Sequence, residues 1–366
     1  MKILFYDKSI GFGGALVCLS LTLKYLNKEK FSSILVVSCK DDFIDNHLIP
    51  YANRHYYFKR YNLNAKFGSW FTILTHALRL AFLIKKEKID ILHANNGLYT
   101  NAPAFLAGKI CNVPTICHQK ILASTTKLDY IIYKYPKVYI AISNAVKESL
   151  IKTFNIEDEK IHIIYPAIEA DKFKVKNKQK RGSEINIGML GCLIPWKGHV
   201  VFIKAMHILS KKTLRFRAHI IGDAPPDFLD YEKSLKEMVD QLNLKSLVIF
   251  RGRILDILNA INDMDIMVHA SVQEEPFGRV VVESMALGKP VIATNIGGPA
   301  EIIENRITGI LIPPNNPELL AREIENLIAN DSLRTMMGKK AREYALKTFD
   351  IRNIIPLIER IYLKII

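Results

Sequence analysis

Short apolar runs alternate with helical stretches along the first half of the chain. Residues 2–7 form an apolar run, residues 9–14 are a glycine-rich turn, and leucines recur at helical spacing over residues 15–27. Further apolar runs predict strands at residues 34–38, 89–93, 114–118 and 137–142, with helices between them. This alternation predicts a parallel, doubly wound sheet with helices on both faces.

The same pattern restarts after a basic segment. Residues 171–181 hold six Lys or Arg among eleven residues, which predicts a solvated linker, with anion binding as the alternative. Later strands are predicted at residues 185–190, 217–222, 247–250, 265–270, 290–294 and 309–312, with helices at 198–210 and 229–242. We therefore expect two Rossmann-like domains, residues 1–169 and 184–345, and an amphipathic helix at residues 350–366 that joins the first. Ligands bind at the carboxyl ends of such strands, so the cleft between the domains is the expected site.

The composition is that of an ordinary globular protein. The chain has 366 residues, 49% of them hydrophobic and 24% charged, which suits two domains. Of the net charge of +15, +9 lies in residues 1–120, which contain 16 Lys and Arg against 7 Asp and Glu. A basic face fits nucleic acid, an anionic membrane surface or phosphate-bearing small molecules. No nucleic-acid-binding motif coincides with the basic residues, so nucleic acid is the least favoured partner.

Cysteine usage and hydropathy favour a cytoplasmic protein. The cysteines are odd in number and lack C-x-x-C spacing, which argues against a disulfide framework or a zinc site: Cys18, Cys39, Cys111, Cys117 and Cys192. The N-terminus shows no signal-peptide pattern. Residues 70–84, the longest apolar stretch, are too short to cross a bilayer. They predict a largely buried helix, with an interfacial helix on lipid headgroups as the alternative.

The segment EPFGRVVVESMALG, residues 275–288, carries the most chemistry. A helix is predicted to begin near residues 278–280 and to end at Gly288. The amides of residues 278–281 would then suit a diphosphate, and Gly278 lets the backbone approach it closely. Carboxylates accept hydrogen bonds from sugar hydroxyls, so we expect Glu275 to hold the transferred sugar and Glu283 the ribose.

This segment resembles the E-x7-E signature of the family 4 retaining glycosyltransferases, also called glycosyl transferases group 1. The family has the GT-B fold, in which two Rossmann-like domains face each other across a cleft. Three further segments resemble the family in the expected order, beginning with ISNAVKESLIKTF, IGMLGCLIPWKG and GKPVIATNIGGPAEII. The resemblance covers nearly the whole chain and implies transfer of a hexose-type sugar, with retention, from a UDP- or GDP-sugar.

The resemblance also implies roles on the donor side. Lys197, in PWKG, would place its charge on the diphosphate. Many members of the family carry an arginine where this chain has Cys192. Either donor affinity is lower here, or another cation substitutes, with Arg279 and Arg253 as the candidates. The loop at Gly252, Arg253 and Ile254 would pack on the nucleobase. The remaining donor-binding candidates are Phe277, Gly278 and Val280, while Gly297 and Gly298 would form either a ligand-lining or a purely structural turn.

The first domain is expected to serve the acceptor. Gly13 and Gly14 open its first helix and match the family's glycine turn near the donor phosphate. The pattern G-F-G-G-A is not the dinucleotide fingerprint G-x-G-x-x-G. His118 aligns with the family's histidine near the anomeric carbon and is a catalytic candidate with Lys197 and Glu275. His93 and Asn95 are weaker candidates.

We expect the reaction to need no cofactor and no obligatory metal. No Asp-x-Asp stands in a donor loop, and Lys197 with the helix amides would neutralise the phosphates. The acceptor is expected to be a glycan or lipid-linked glycan of surface polysaccharide or lipopolysaccharide synthesis. The run from Arg54 to Arg60 either leans on an anionic membrane, which makes the protein peripheral at its inner face, or is an ordinary solvated loop. A nucleotide-sugar epimerase and a non-catalytic GT-B binding subunit are the alternatives.

Overall fold

The computed structural model describes residues 1–8, 13–58, 69–123, 126, 128–176 and 184–366, apart from the side chains of residues 69 and 70. Three predicted features therefore lie partly outside the described residues: residues 9–12 of the glycine-rich turn, Lys59 and Arg60, and residues 177–181 of the basic segment with the two residues after it. The chain divides into two compact units. Unit 1 comprises Met1–Ala167 and Ile351–Ile366, and unit 2 comprises Ile168–Asp350.

The described part of unit 1 contains a seven-stranded parallel sheet in the order β3-β2-β1-β4-β5-β6-β7. Its strands are β1 (Lys2–Asp7), β2 (Ser32–Val37), β3 (Arg54–Tyr57), β4 (Ile91–Asn95), β5 (Thr115–Gln119), β6 (Val138–Ala141) and β7 (Ile161–Ile163). Its helices are α1 (Gly14–Tyr25), α2 (Asp42–His47), α3 (Ser69–Glu87), α4 (Ala102–Cys111), α5 (Asp129–Ile132) and α6 (Asn144–Phe154). The strand order reverses between β1 and β4, which is where such folds bind ligands.

The described part of unit 2 contains a six-stranded parallel sheet in the order β10-β9-β8-β11-β12-β13. Its strands are β8 (Ile185–Leu190), β9 (Phe216–Ile221), β10 (Val248–Gly252), β11 (Ile266–His269), β12 (Val291–Thr294) and β13 (Ile310–Ile312). Its helices are α7 (His199–Ser210), α8 (Leu229–Gln241), α9 (Ile257–Asn262), α10 (Arg279–Ala286), α11 (Gly298–Ile302), α12 (Pro317–Ala329) and α13 (Asp331–Phe349). The order reverses between β8 and β11, so the loops after these two strands are neighbours.

The last helix, α14 (Ile351–Ile365), belongs to unit 1 although it follows unit 2 in sequence. Its isoleucines recur at helical spacing and are buried in the core of unit 1, together with Tyr362. That core also contains Phe5 and Phe31, whose rings lie edge-on to the Tyr362 ring. Burial of one apolar stripe explains why this helix is amphipathic.

Candidate functional site

The loop after β8 places Lys197 at the carboxyl edge of the unit 2 sheet. A short 3-10 turn, Pro195–Lys197, leads into α7 through Gly198, whose φ is 82°. A Cβ on Gly198 would lie 1.9 Å from the carbonyl oxygen of Ala270, so only glycine allows this loop to approach the end of β11. The amide of Val272 also donates to the carbonyl of Trp196 at 2.8 Å. Lys197 is thereby fixed beside the loop that follows β11.

Four side chains converge at this edge. The Nζ of Lys197 donates to Oε2 of Glu275. The same oxygen lies 3.5 Å from Nε2 of His269, the last residue of β11, and accepts a hydrogen bond of 3.4 Å from the Ser271 hydroxyl. His269 and Ser271 are 6% and 1% exposed, whereas Lys197 and Glu275 keep 18% and 14% of their side chains exposed. The buried pair therefore orients the Glu275 carboxylate, which in turn binds Lys197, and both of the latter side chains still reach solvent.

The Glu275 carboxylate is held ionised by its neighbours. Burial alone would raise its pKa, but the hydrogen bond from His269 and the charge of Lys197 outweigh burial and lower the pKa of Glu275 to about 2. At neutral pH the carboxylate is charged and acts only as a hydrogen-bond acceptor. It is therefore suited to bind hydroxyl groups rather than to deliver a proton.

The Gly297–Gly298 turn after β12 supports the backbone on which Glu275 stands. The amide of Gly298 donates to the Glu275 carbonyl at 2.8 Å. A Cβ on Gly297 would lie 2.3 Å from that carbonyl oxygen, and one on Gly298 would lie 2.3 Å from the backbone of Phe277. Both glycines therefore have a packing role, which agrees with the structural reading of this turn.

The helix predicted after Gly278 is α10, and its first turn is tighter than the sequence suggested. Gly278 adopts φ 95° and precedes the helix. The backbone amide of Val281 donates to the Gly278 carbonyl at 2.9 Å. This amide was expected to lack a partner within the helix, and it has one. Arg279 and Glu283, one turn apart, form an ion pair of 2.8 Å and are 21% and 13% exposed. Arg279 is therefore already paired with a carboxylate, and an anion that binds it would have to compete with Glu283. The donor-binding roles of both residues stay predictions.

The remaining donor candidates lie farther from this cluster or are buried. Phe277 is 3% exposed, and its ring packs edge-on against Phe349 at 5.8 Å, so its side chain supports the loop from beneath. Arg253 is exposed and Ile254 half-buried after β10, which lies two strands from β8. Cys192 is exposed in the loop after β8. Val280, in the first turn of α10, is half-buried.

In unit 1 a buried hydrogen-bonded chain ends at His118. Nδ1 of His93 lies 2.7 Å from the Tyr362 hydroxyl, and Nε2 of His93 lies 3.1 Å from Nδ1 of His118. All three side chains are at most 5% exposed. Burial lowers the pKa of His93 to about 3 and that of His118 well below its usual range, with the charge of Lys120 adding to both shifts. Both imidazoles are therefore neutral at pH 7, and each has one donor and one acceptor nitrogen.

A second cluster surrounds the start of α1. Gly13 precedes this helix and Gly14 is its first residue. The backbone carbonyl of Ala15 accepts from the Lys120 ammonium at 3.1 Å and from the Asn95 amide at 3.4 Å. Asn95 also donates to the buried Asp7 carboxylate. The strand ends of β1, β4 and β5 are therefore tied to the turn that begins α1.

Several of these residues were not among the sequence candidates. His269 is the last residue of β11 and Ser271 follows two residues later. Their position at the carboxyl end of a parallel strand is a sequence signal that could have identified both. Lys120 likewise follows β5 directly. Tyr362 gave no such signal, because its hydrogen-bond partner His93 lies 269 residues earlier in the chain.

The described residues contain neither a metal-binding cluster nor a membrane-spanning helix. No group of three or more His, Cys, Asp or Glu side chains there is arranged to hold a metal ion. Within the same residues, no helix has the length and apolar character needed to cross a membrane.

Two family models match the chain in succession. Residues 12–172 match Glycosyltransferase Family 4, and residues 170–344 match Glycosyl transferases group 1. An uncharacterized glycosyltransferase of Methanocaldococcus jannaschii is 28% identical over 244 residues, which cover 64% of this chain and 60% of that relative. The capsular polysaccharide biosynthesis glycosyltransferase CapM of Staphylococcus aureus is 26% identical over 315 residues, covering 80% of this chain and 81% of CapM.

Solved structures share the fold over the full length. A glycosyltransferase of Rickettsia africae superposes with a TM-score of 0.88 at 27% identity, covering 100% of this chain and 98% of the other. HepE of Anabaena, solved in complex with UDP-glucose, superposes with a TM-score of 0.84 at 25% identity, covering 99% of each chain. The two parallel-sheet units are therefore those of the GT-B fold, as expected from the sequence.

Proposed function

The chain belongs to the group 1 glycosyltransferases of the GT-B fold, and on that basis we propose that it transfers a hexose-type sugar from a nucleoside diphosphate sugar to a hydroxyl group. Unit 2 would bind the donor and unit 1 the acceptor. UDP is the favoured nucleotide because HepE, of the same fold, binds UDP-glucose. GDP is the alternative that the first experiment tests.

The observation that carries the proposal is the convergence of Lys197 and Glu275 at the point where the unit 2 sheet reverses its strand order. A lysine offers a cation to a diphosphate leaving group, and an ionised carboxylate accepts hydrogen bonds from sugar hydroxyls. Both side chains are partly exposed, while His269 and Ser271 hold the Glu275 carboxylate from the buried side. A site that must bind a sugar and a diphosphate together needs this combination.

We propose that transfer proceeds with retention at the anomeric carbon, in keeping with the E-x7-E segment. Glu275 would bind the sugar rather than attack it, since Lys197, His269 and Ser271 already engage its Oε2. His118, neutral at pH 7, would contribute a hydrogen bond near the reacting centre. Proton NMR of the product would give the anomeric configuration, and an inverted product would refute retention.

The proposed reaction uses neither a cofactor nor an obligatory metal. Lys197 and the amides at the start of α10 would offset the charge of the diphosphate. The test is transfer activity after treatment with EDTA and again with added Mg²⁺ or Mn²⁺. Activity that disappears with EDTA and returns with metal would overturn this part of the proposal.

The proposed acceptor is a glycan or lipid-linked glycan of surface polysaccharide synthesis. CapM, the relative covered over 81% of its length, acts in capsular polysaccharide biosynthesis, which supports that class. An acceptor carried on lipid would require the protein to work at the inner face of the membrane. We therefore propose a cytoplasmic protein in peripheral contact with anionic lipid.

The first experiment is a thermal-shift panel with UDP, GDP, ADP and their common sugar conjugates, without added metal. A ligand at about 100 times its dissociation constant stabilises the folded state by about 2.7 kcal/mol, which corresponds to a shift of several degrees. We expect a shift with one nucleotide family only. No shift with any of them would contradict the proposed donor site.

Turnover separates this proposal from a second candidate, a nucleotide-sugar-binding subunit without activity. The exposed Cys192 favours that candidate, since an arginine is usual at its position. Donor hydrolysis should fall at least tenfold in Glu275→Ala and stay unchanged in Glu274→Ala, an exposed neighbour. If nucleotide binds but neither wild type nor Cys192→Arg hydrolyses or transfers the donor, the binding-subunit reading is correct.

A further inference from the structure

Helix α3 has an apolar face that stays exposed among the residues that the structure describes. Its buried side packs into unit 1 through Ile73, Ala77, Leu80, Leu83 and Ile84. On the other side four large apolar side chains are exposed: Phe71 by 72%, Leu74 by 45%, Leu78 by 52% and Phe82 by 71%. We call these four residues the α3 stripe. Contiguous exposed apolar surface of this kind marks a site of interaction.

The spacing of the α3 stripe makes it a single continuous surface. Its members are separated by three, four and four residues, and at about 100° per residue they fall within about 80° of the helix circumference. The stripe runs for about 16 Å along the helix at about 1.5 Å per residue. Ile110 of the neighbouring helix α4 is also exposed, by 46%, and the Cys111 thiol next to it lies 3.5 Å from the carbonyl of Ala81. Exposed apolar surface is therefore also present at the end of α4, the helix that packs beside α3.

The charges beside the stripe all have the same sign. Arg79, Lys85 and Lys86 are exposed on α3. The single carboxylate of α3, that of Glu87, is 4% exposed, and it accepts hydrogen bonds from the Arg54 guanidinium at 3.0 Å and the Tyr56 hydroxyl at 2.6 Å. The outer face of α3 is consequently apolar and cationic, without an exposed acid.

The adjoining edge strand is less suited to contact a membrane. Of the two readings of residues 54–60, one placed its aromatic side chains against lipid. Tyr56 and Tyr57 lie on β3, where their hydroxyls bind the carboxylates of Glu87 and Asp45. The hydrogen bond of Tyr57 to Asp45 is 2.7 Å long. These rings are held by protein groups, whereas the α3 stripe has no such anchors.

We propose that the α3 stripe docks on an anionic lipid bilayer, with its apolar side chains among the acyl chains and Arg79, Lys85 and Lys86 on the headgroups. An in-plane helix with an apolar face and a cationic flank has this chemistry. A second copy of the chain fits poorly, because two cationic faces would repel and stable interfaces use roughly 20–30 residues per side. The proposal identifies the surface for the membrane contact suggested above, and it does not depend on sugar transfer.

The test is co-sedimentation of the purified full chain with vesicles of phosphatidylcholine alone or with 30% phosphatidylglycerol. We expect binding to the anionic vesicles that weakens as salt is raised. The double variant Phe71→Ser/Phe82→Ser should reduce binding at least tenfold. The matched control Leu229→Ser/Met336→Ser removes two exposed apolar side chains from unit 2 and should leave binding unchanged. Lys85→Gln/Lys86→Gln should lower binding to anionic vesicles by about tenfold and leave the weak phosphatidylcholine binding unaltered.

Each variant is also examined by the nucleotide thermal shift and by light scattering. An unchanged nucleotide response shows that the variants fold and separates this proposal from the donor site. Vesicle binding that survives Phe71→Ser/Phe82→Ser, or that is equal on both vesicle types, would overturn the proposal. Self-association that is lost in the same variant, without vesicle binding by the wild type, would instead make the stripe an interface between copies of the chain.

Discussion

Lys197 and Glu275 form an ion pair in unit 2. A diphosphate that binds beside Lys197 competes with Glu275 for the ammonium, while Glu275 retains His269 and Ser271 as partners. If Lys197 binds phosphate as proposed, the carboxylate should stay ionised and in place. The proposal would then account for the buried histidine and serine behind a partly exposed ion pair.

Removal of the lysine should weaken nucleotide binding specifically. We expect Lys197→Ala to raise the dissociation constant of the preferred nucleoside diphosphate at least tenfold, because a charge-assisted contact is lost. Lys212, a surface lysine paired with Glu325, provides the control, and Lys212→Ala should change the constant less than twofold. Isothermal titration calorimetry measures both, and equal effects in the two variants would remove Lys197 from the donor site.

The Tyr362 hydroxyl satisfies a histidine nitrogen in the core of unit 1. Tyr362→Phe leaves Nδ1 of His93 buried without that partner, so we expect a loss of about 1–3 kcal/mol in the free energy of unfolding. Tyr130→Phe, which alters a ring that is 51% exposed, should cost less than about 0.5 kcal/mol. Urea unfolding followed by circular dichroism compares the two. If His118 takes part in catalysis, Tyr362→Phe should also lower kcat with little effect on KM for the donor.

At the scale of elements, the parallel strands were predictable because each is an apolar run buried on both faces. Strands at residues 2–7, 114–118 and 185–190 were expected, and β1, β5 and β8 lie there. The edge strand β3 is not predicted as a strand by its sequence, RHYY, because that sequence lacks a long aliphatic run and the strand pairs along one edge only. Helix α3 has alternating buried and exposed apolar residues, and its sequence alone did not reveal which of them face solvent.

Loop contacts were the least predictable part of the candidate site. Glu275 and the helix after it were predictable, because the two glutamates of the E-x7-E segment lie eight positions apart in one continuous stretch of sequence. The partners His269 and Ser271 depend on how the loop folds back, and Gly297 acts on Glu275 through its backbone. Such contacts join separate loops and leave no periodic signal in the sequence.

The two loops that meet at Glu275 should be sensitive to a single methyl group. Gly297 and Gly252 both have a φ of 62°, but a Cβ on Gly297 would lie 2.3 Å from the Glu275 carbonyl, while one on Gly252 would meet nothing within 4 Å. We expect Gly252→Ala to cost about 1–2 kcal/mol from backbone strain alone. Gly297→Ala should cost more and should also weaken nucleotide binding, because Glu275 must move. Equal losses in thermal unfolding would show that the close approach is unimportant.

At the scale of the whole molecule, buried histidines should make stability depend on mild acid. Burial lowers the pKa of His93 to about 3 and of His199 to about 4, whereas histidines of the unfolded chain titrate near 6.5. The unfolded state therefore binds more protons below pH 6.5, and stability falls from there downward. Glu275, with its pKa lowered to about 2, adds to the loss only below about pH 4.5.

We therefore expect the free energy of unfolding to decrease between pH 6.5 and 4.5 by about 1.4 kcal/mol per pH unit for each buried histidine that stays neutral. Urea unfolding at a series of pH values measures the slope. His199→Phe should reduce the slope by the contribution of one histidine, and His55→Gln, at an exposed position, should leave it as it is. A stability that is constant over this range would contradict the burial of neutral imidazoles.

The placement of α14 has a consequence for the order in which the protein is made. Unit 1 is not complete at Ala167, because the helix that supplies Tyr362 follows residue 350. At about 5–20 residues per second, a ribosome needs roughly 10–40 s to synthesise the intervening unit 2. Throughout that interval the sheet of unit 1 exposes the apolar surface that α14 will cover, whereas unit 2 has its last strand, β13, before α14 is made. The unit that is begun first is therefore finished last, and a chaperone that shields nascent chains would act on it in the meantime.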